Sequence, residues 1–337
     1  MLPVILVWAC FSFKAPKQDV MPVILLINQY PLTDDSKEFF KRINPYGFLL
    51  SVPLHQGMHP PQLRKELEEV LKRNDFLFFL DQEGGPVNRL KNFEPDFQSP
   101  AAQKYGDLAK QNLEHAILQA KLEGERTGKL LKKLSIDVAF APTADVPYTE
   151  NIPVRNRYYS TDPKITKALA DAFAEGLDKG GATPCYKHFP GVVTFADPHF
   201  ISPAVHDDIK TIQKNSVFAF EKARQYGCLM PSHMFFISID KHNISTFSPA
   251  FYKFAKESLE FKGLIITDAL NMAAAGGPNS NTVGERMNQA LAAGADVVMP
   301  FFPFHRSTKF MEKQIRQIDP RYIKRFQKRK NLLKRKK

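Results

Sequence analysis

Cysteine is scarce in this chain of 337 residues: there are three, Cys10, Cys185 and Cys228, and no two form a CxxC pair. That spacing excludes a zinc site built on thiolates, and so low a count implies neither a disulfide framework nor an oxidising compartment. Cys185 and Cys228 lie in apolar runs and read as buried free thiols. The nine histidines are scattered without HExxH spacing, so no metal and no redox cofactor is expected. No GxGxxG follows the first strand-like run, which argues against a dinucleotide-binding domain. No apolar stretch reaches the roughly 20 residues of a membrane-spanning helix. The N-terminal MLPVILVWACFSF is too short, and it lacks the basic flank of a signal peptide. Residues 1–21 are read as an apolar extension, or as a leader before a start at Met21. The expected location is cytoplasmic, with export or lipid anchoring through residues 1–13 as the alternative.

Acidic residues are missing from the C-terminal segment. The segment 321–337, RYIKRFQKRKNLLKRKK, has none, and it holds ten lysines and arginines. These supply ten of the chain's twelve net positive charges, so the rest is nearly neutral and gives no sign of a nucleic-acid-binding body. The segment reads as a solvated or frayed basic tail. A weak contact with anionic membrane is the sharper alternative.

What is present is a rhythm. Eight apolar runs of strand length recur: 23–28, 47–52, 76–81, 138–145, 183–189, 228–234, 263–269 and 294–300. Helix-like stretches lie between them at 33–43, 61–73, 108–133, 164–178, 207–225, 249–259 and 282–293. Thr33, Asp162 and Ser248 stand where N-caps belong. Uniformly apolar strands alternating with helices indicate a parallel sheet covered on both faces. Eight such units predict an α/β fold with a single (β/α)8 TIM-type barrel over 22–320.

The polar residues fall at the ends of those runs: Asp81, Asp145, Lys187 with His188, His233 and Asp268. In a barrel they converge on the C-terminal mouth, where such enzymes carry their chemistry. The stretch KHFPGVVTFADPHF at 187–200 adds Asp197 and His199, one residue apart. A carboxylate there can fix the tautomer of the imidazole and raise its basicity, as a proton shuttle requires. Forked donors such as Arg89 and Arg157, beside an acceptor such as Asp81, suit a ligand dense in hydroxyls.

Several motifs, in one order, resemble those of the bacterial β-N-acetylglucosaminidases of glycoside hydrolase family 3. They are DQEGGPVNRL at 81–90, FAPTADV at 140–146, the arginine-bearing stretch at 151–163, KHFPG at 187–191 with the later Asp-x-His, SHM at 232–234 and FKGLIITDALNM at 261–272. The resemblance covers about residues 22–300. It implies that Asp268 is the nucleophile and His199, oriented by Asp197, the acid/base. It further implies that Asp81, Arg89, Arg157, Lys187 and His188 bind the terminal sugar, with His233 also lining the pocket. The implied substrate is an N-acetylglucosamine-containing glycan or muropeptide, cleaved by a monomer in peptidoglycan recycling. The sequence departs from the family at PGVVTFADPH, one residue shorter than the family's PGHGxTxxDSH, and at Pro86, which replaces an arginine. Alternative readings are a catalytically impaired carbohydrate-binding homologue and a phosphorylase using the same site.

Overall fold

Alternation within the strands sorts the apolar residues into two sets. The computed structural model of the chain describes residues 18–27, 29–50, 59–152, 155–194, 200–276, 282–302 and 306–336. Its main sheet has nine parallel strands: β1 (Met21–Leu26), β2 (Pro45–Leu49), β3 (Leu77–Gly84), β4 (Val138–Phe140), β5 (Thr183–Pro184), β6 (Tyr186–Phe189), β7 (Cys228–Pro231), β8 (Leu264–Ala269) and β9 (Val297–Met299). The order runs β5-β4-β3-β2-β1-β9-β8-β7-β6. Because β5 and β6 are two pieces of one run, separated by Cys185, the ends of this path meet and the barrel has eight positions. An additional bridge joins Thr143 to Lys187 on the same side.

One buried cluster contains Ile24, Tyr46, Leu77, Phe79, Val138, Phe140, Cys185, Cys228, Met230, Leu264, Ile266, Val297 and Met299. These are alternate strand residues, and they fill the barrel interior. Their neighbours, such as Val23, Phe78, Leu80, Ala139, Tyr186, Leu229 and Ile265, belong to a second cluster shared with the helices. Following the inward parity upward on β3 leads from Leu77 and Phe79 to Asp81 and Glu83. On β6 it leads from Cys185 to Lys187, and on β8 from Ile266 to Asp268. The period-2 geometry of the strands therefore delivers the polar residues to the mouth.

The outer layer includes α1 (Asp34–Ile43), α2 (Pro60–Leu71), α3 (Ala102–Ala109), α4 (Leu113–Lys133), α5 (Pro163–Gly180), α6 (Ile209–Asn215), α7 (Ala223–Tyr226), α8 (Pro249–Leu259), α9 (Val283–Ala293), α10 (Thr308–Ile315) and α11 (Pro320–Gln327). The three expected caps form: Thr33 accepts from Ser36 N at 3.2 Å, Asp162 from Lys164 N at 2.7 Å and Ser248 from Phe251 N at 3.1 Å. The stretch 108–133 divides into α3 and α4 because Asn112 caps the second helix, accepting from His115 N at 2.9 Å.

Two expectations are corrected. Cys185 and Cys228 are not free thiols; a disulfide joins them, with Cα atoms 4.6 Å apart. Tyr186 pairs with Leu229 in the sheet, so the two preceding cysteines stand side by side on the inward face. A sequence separation of 43 residues hides that neighbourhood. The basic tail is also not a solvated terminus. Phe326 and Leu333 are buried in the interior cluster together with Val20, closing the barrel's N-terminal end. Phe326 meets Tyr46 edge-on at 5.0 Å, and the Tyr46 hydroxyl donates to Leu333 O at 3.2 Å. Arg329 pairs with Asp296 at 2.6 Å, and Lys336 with Asp178. The tail's cations answer acidic groups that belong to the body, which a one-dimensional charge count cannot show. Residues 1–17 of the N-terminal extension lie outside the described residues.

Candidate active site

β3 ends in two inward carboxylates, and β6 inserts a lysine between them. Lys187 Nζ lies 2.8 Å from Asp81 Oδ1 and 2.7 Å from Glu83 Oε1. Glu83 also accepts two hydrogen bonds from Arg157, from Nε and from one terminal nitrogen, both at 2.8 Å. Arg157 arrives on a short 3-10 turn, Arg155–Arg157. The side chains of Lys187 and Glu83 are only 4% and 2% exposed, so their charges depend on one another. Burial disfavours the Lys187 cation, but Asp81 and Glu83 outweigh it and hold the ammonium above the usual lysine range. Burial likewise opposes the Glu83 anion, and Lys187 and Arg157 hold it far below the usual carboxylate range.

His188 is fixed by Asp145. Asp145 Oδ1 accepts from the His188 backbone N–H at 2.9 Å, and its other oxygen lies 2.8 Å from the ring Nδ1. With Nδ1 turned to Asp145, Nε2 faces Asp268 Oδ2 at 4.0 Å. Asp268 sits on β8 and accepts from the Ala269 N–H at 2.6 Å. Burial opposes its charge, yet His233, His188, the Ala269 amide and Lys187 together hold its carboxyl below the usual carboxylate range. An anion kept ionised, partly exposed and facing a mouth is suited to attack an electrophilic carbon.

Asp81, Arg157, Lys187, His188 and Asp268 are thus gathered through one network of charged contacts. His233 takes a different part. It is buried, and both ring nitrogens are engaged, Nδ1 with the Thr246 hydroxyl and Nε2 with Ala269 O at 3.1 Å. It braces the backbone beside Asp268 and has no ring nitrogen to offer a sugar. Arg89 opens the 3-10 turn Arg89–Asn92, and its buried Nε has no partner among the described residues. Asp197 and His199 lie outside the described residues. Sequence reasoning missed Glu83, although its position two residues beyond Asp81 on the same strand gave it the same inward parity. It also noted Asp145 without its bond to His188. No group of residues suited to hold a metal ion occurs among the described residues.

A parallel barrel whose C-terminal mouth gathers an ionised carboxylate, a carboxylate-held imidazole and paired cations belongs to the TIM-barrel enzymes. Residues 58–323 match the Glycosyl hydrolase family 3 N terminal domain, and the chain belongs to that family of glycoside hydrolases. A beta-hexosaminidase of Chromobacterium violaceum is 29% identical over 244 residues, which cover 71% of this chain and 67% of that protein. A glycoside hydrolase family 3 beta-N-acetylglucosaminidase from a Paenibacillus strain superposes with a TM-score of 0.77 at 24% identity, over 92% of this chain. The chain spans 60% of that longer protein's length. Native NagZ from Neisseria gonorrhoeae superposes with a TM-score of 0.75 at 22% identity, over 95% of this chain and 92% of its own.

Proposed function

We propose that the protein is a retaining exo-β-N-acetylglucosaminidase that removes non-reducing terminal β-linked N-acetylglucosamine from peptidoglycan fragments. The observation that carries this reading is Asp268: an ionised carboxylate at a barrel mouth, next to the Asp81–Lys187–Glu83–Arg157 chain and the Asp145-held His188. The names of the relatives supply the substrate class. In the first step an Asp268 oxygen bonds to the anomeric carbon while the glycosidic bond breaks and the leaving oxygen takes a proton from His199. In the second step water attacks the same carbon, its proton passes to His199, and the bond to Asp268 breaks. The role of His199, and of Asp197 in orienting it, rests on the resemblance in sequence. Asp81, Arg157, Lys187 and His188 bind the sugar's hydroxyls and acetamido group.

Hydrolysis of an aryl N-acetyl-β-glucosaminide tests the activity, and release of N-acetylglucosamine from purified muropeptides tests the natural class. Asp268→Asn is expected to lower kcat by about 10³-fold or more, equivalent to ~4 kcal/mol of transition-state stabilisation. Unchanged turnover in that variant removes Asp268 as nucleophile. Sugar 1-phosphate as the main product in phosphate buffer would assign phosphorolysis instead.

A further inference from the structure

We infer that Glu83 is a positioning residue for the proposed reaction: it fixes Arg157 and Lys187 side by side in the geometry that grips the sugar. The inference rests on the proposed sugar-binding role of those two cations. Three observations carry it. First, among the described residues Glu83 alone touches both, accepting twice from Arg157 at 2.8 Å and standing 2.7 Å from Lys187 Nζ. Second, its side chain is 2% exposed. It is therefore closed off from a ligand in the mouth, whereas Asp81, at 26%, is open to the mouth on the same face of the strand. Third, a guanidinium and an ammonium brought together in a buried site repel, and Arg157 does act against the charge of Lys187. An anion between them turns a repulsive pair into a linked chain, Asp81–Lys187–Glu83–Arg157.

The charged groups around Lys187 come from several elements: Asp81 and Glu83 on β3, Arg157 on its 3-10 turn, His188 beside it on β6 and Asp268 on β8. Tyr158 and Asp145 add to the field at Arg157, and Glu83 is felt at Tyr159. Replacing Glu83 by glutamine keeps the shape and removes one of the two anions that contact Lys187 among the described residues. The ammonium should then lose its proton at a lower pH, and Arg157 should lose its two-point anchor.

The test uses the full chain with Glu83→Gln and Glu83→Asp. Steady-state hydrolysis of the aryl substrate is followed from pH 5 to pH 10, and the lysines carry ¹³C at Cε so that Lys187 can be titrated directly. Lys187→Arg serves to assign the Lys187 signal. In Glu83→Gln, KM is expected to rise about tenfold or more. A basic limb absent from the parent should enter the kcat/KM profile, and the Lys187 titration should move to lower pH. Glu83→Asp, which keeps the charge and shortens the reach, should return the titration towards that of the parent while KM stays raised. A merely structural role would lower the melting temperature without moving the titration. An unaltered Lys187 titration in a folded Glu83→Gln protein overturns the inference. If the parent hydrolyses no aryl N-acetylglucosaminide, the functional reading fails, while the titration still decides whether Glu83 controls the charge of Lys187.

Discussion

Phe326→Ala tests whether the basic C-terminal segment is the floor of the barrel. The Phe326 ring is 1% exposed and packs in the same cluster as the inward strand residues. Truncating a fully buried phenylalanine costs about 3–5 kcal/mol through lost transfer energy and the cavity left behind. Of that, the edge-on contact with Tyr46 at 5.0 Å accounts for about 0.5–1.5 kcal/mol. Lys324→Ala, at an exposed position on the same helix, is the control and should stay within about 0.5 kcal/mol of the parent. Urea denaturation followed by far-UV circular dichroism, extrapolated linearly to water, measures both. A Phe326→Ala protein as stable as the control would refute the packed floor and restore the solvated tail. The same reasoning changes what deletion of 321–337 would mean. Removing it strips Phe326 and Leu333 from the interior, so lost activity in the truncated protein would report lost stability as well as any lost contact with a membrane.

Gly176 packs against α4 so closely that an added Cβ would stand 2.1 Å from Lys121 O and 2.6 Å from Glu125 N, both backbone atoms. Gly176→Ala should therefore destabilise by about 1–3 kcal/mol or more despite alanine's better helix propensity. A gain in thermal stability would contradict the close approach of α4 and α5. Alkylation of the unfolded protein without reductant should leave the peptides of Cys185 and Cys228 unlabelled, and reductant should make both reactive. Mass mapping reads the difference, and labelling of either without reductant would break the assigned pair.

Much of the fold was legible because alternation and helix spacing are local. All eight apolar runs overlap a barrel strand, and the stretch 249–259 coincides with α8 from end to end. The site was legible where a side chain ends an apolar run: Asp81, Lys187, His188 and Asp268 come together as their positions implied. The rest depends on partners distant in sequence. Glu83 gains its meaning from Arg157, seventy-four residues on, and from Lys187, farther still. His233 looks like a ligand-facing residue until Thr246 and Ala269 O occupy its nitrogens. The disulfide and the docked tail follow from barrel closure, which no window of sequence contains.

The measurement closest to the central claim is covalent trapping. A slow-reacting 5-fluoro-β-N-acetylglucosaminyl fluoride, incubated with the protein and followed by peptide mass mapping, should leave one glycosyl adduct on Asp268. An adduct on another residue, or a product released with inverted anomeric configuration, would contradict it.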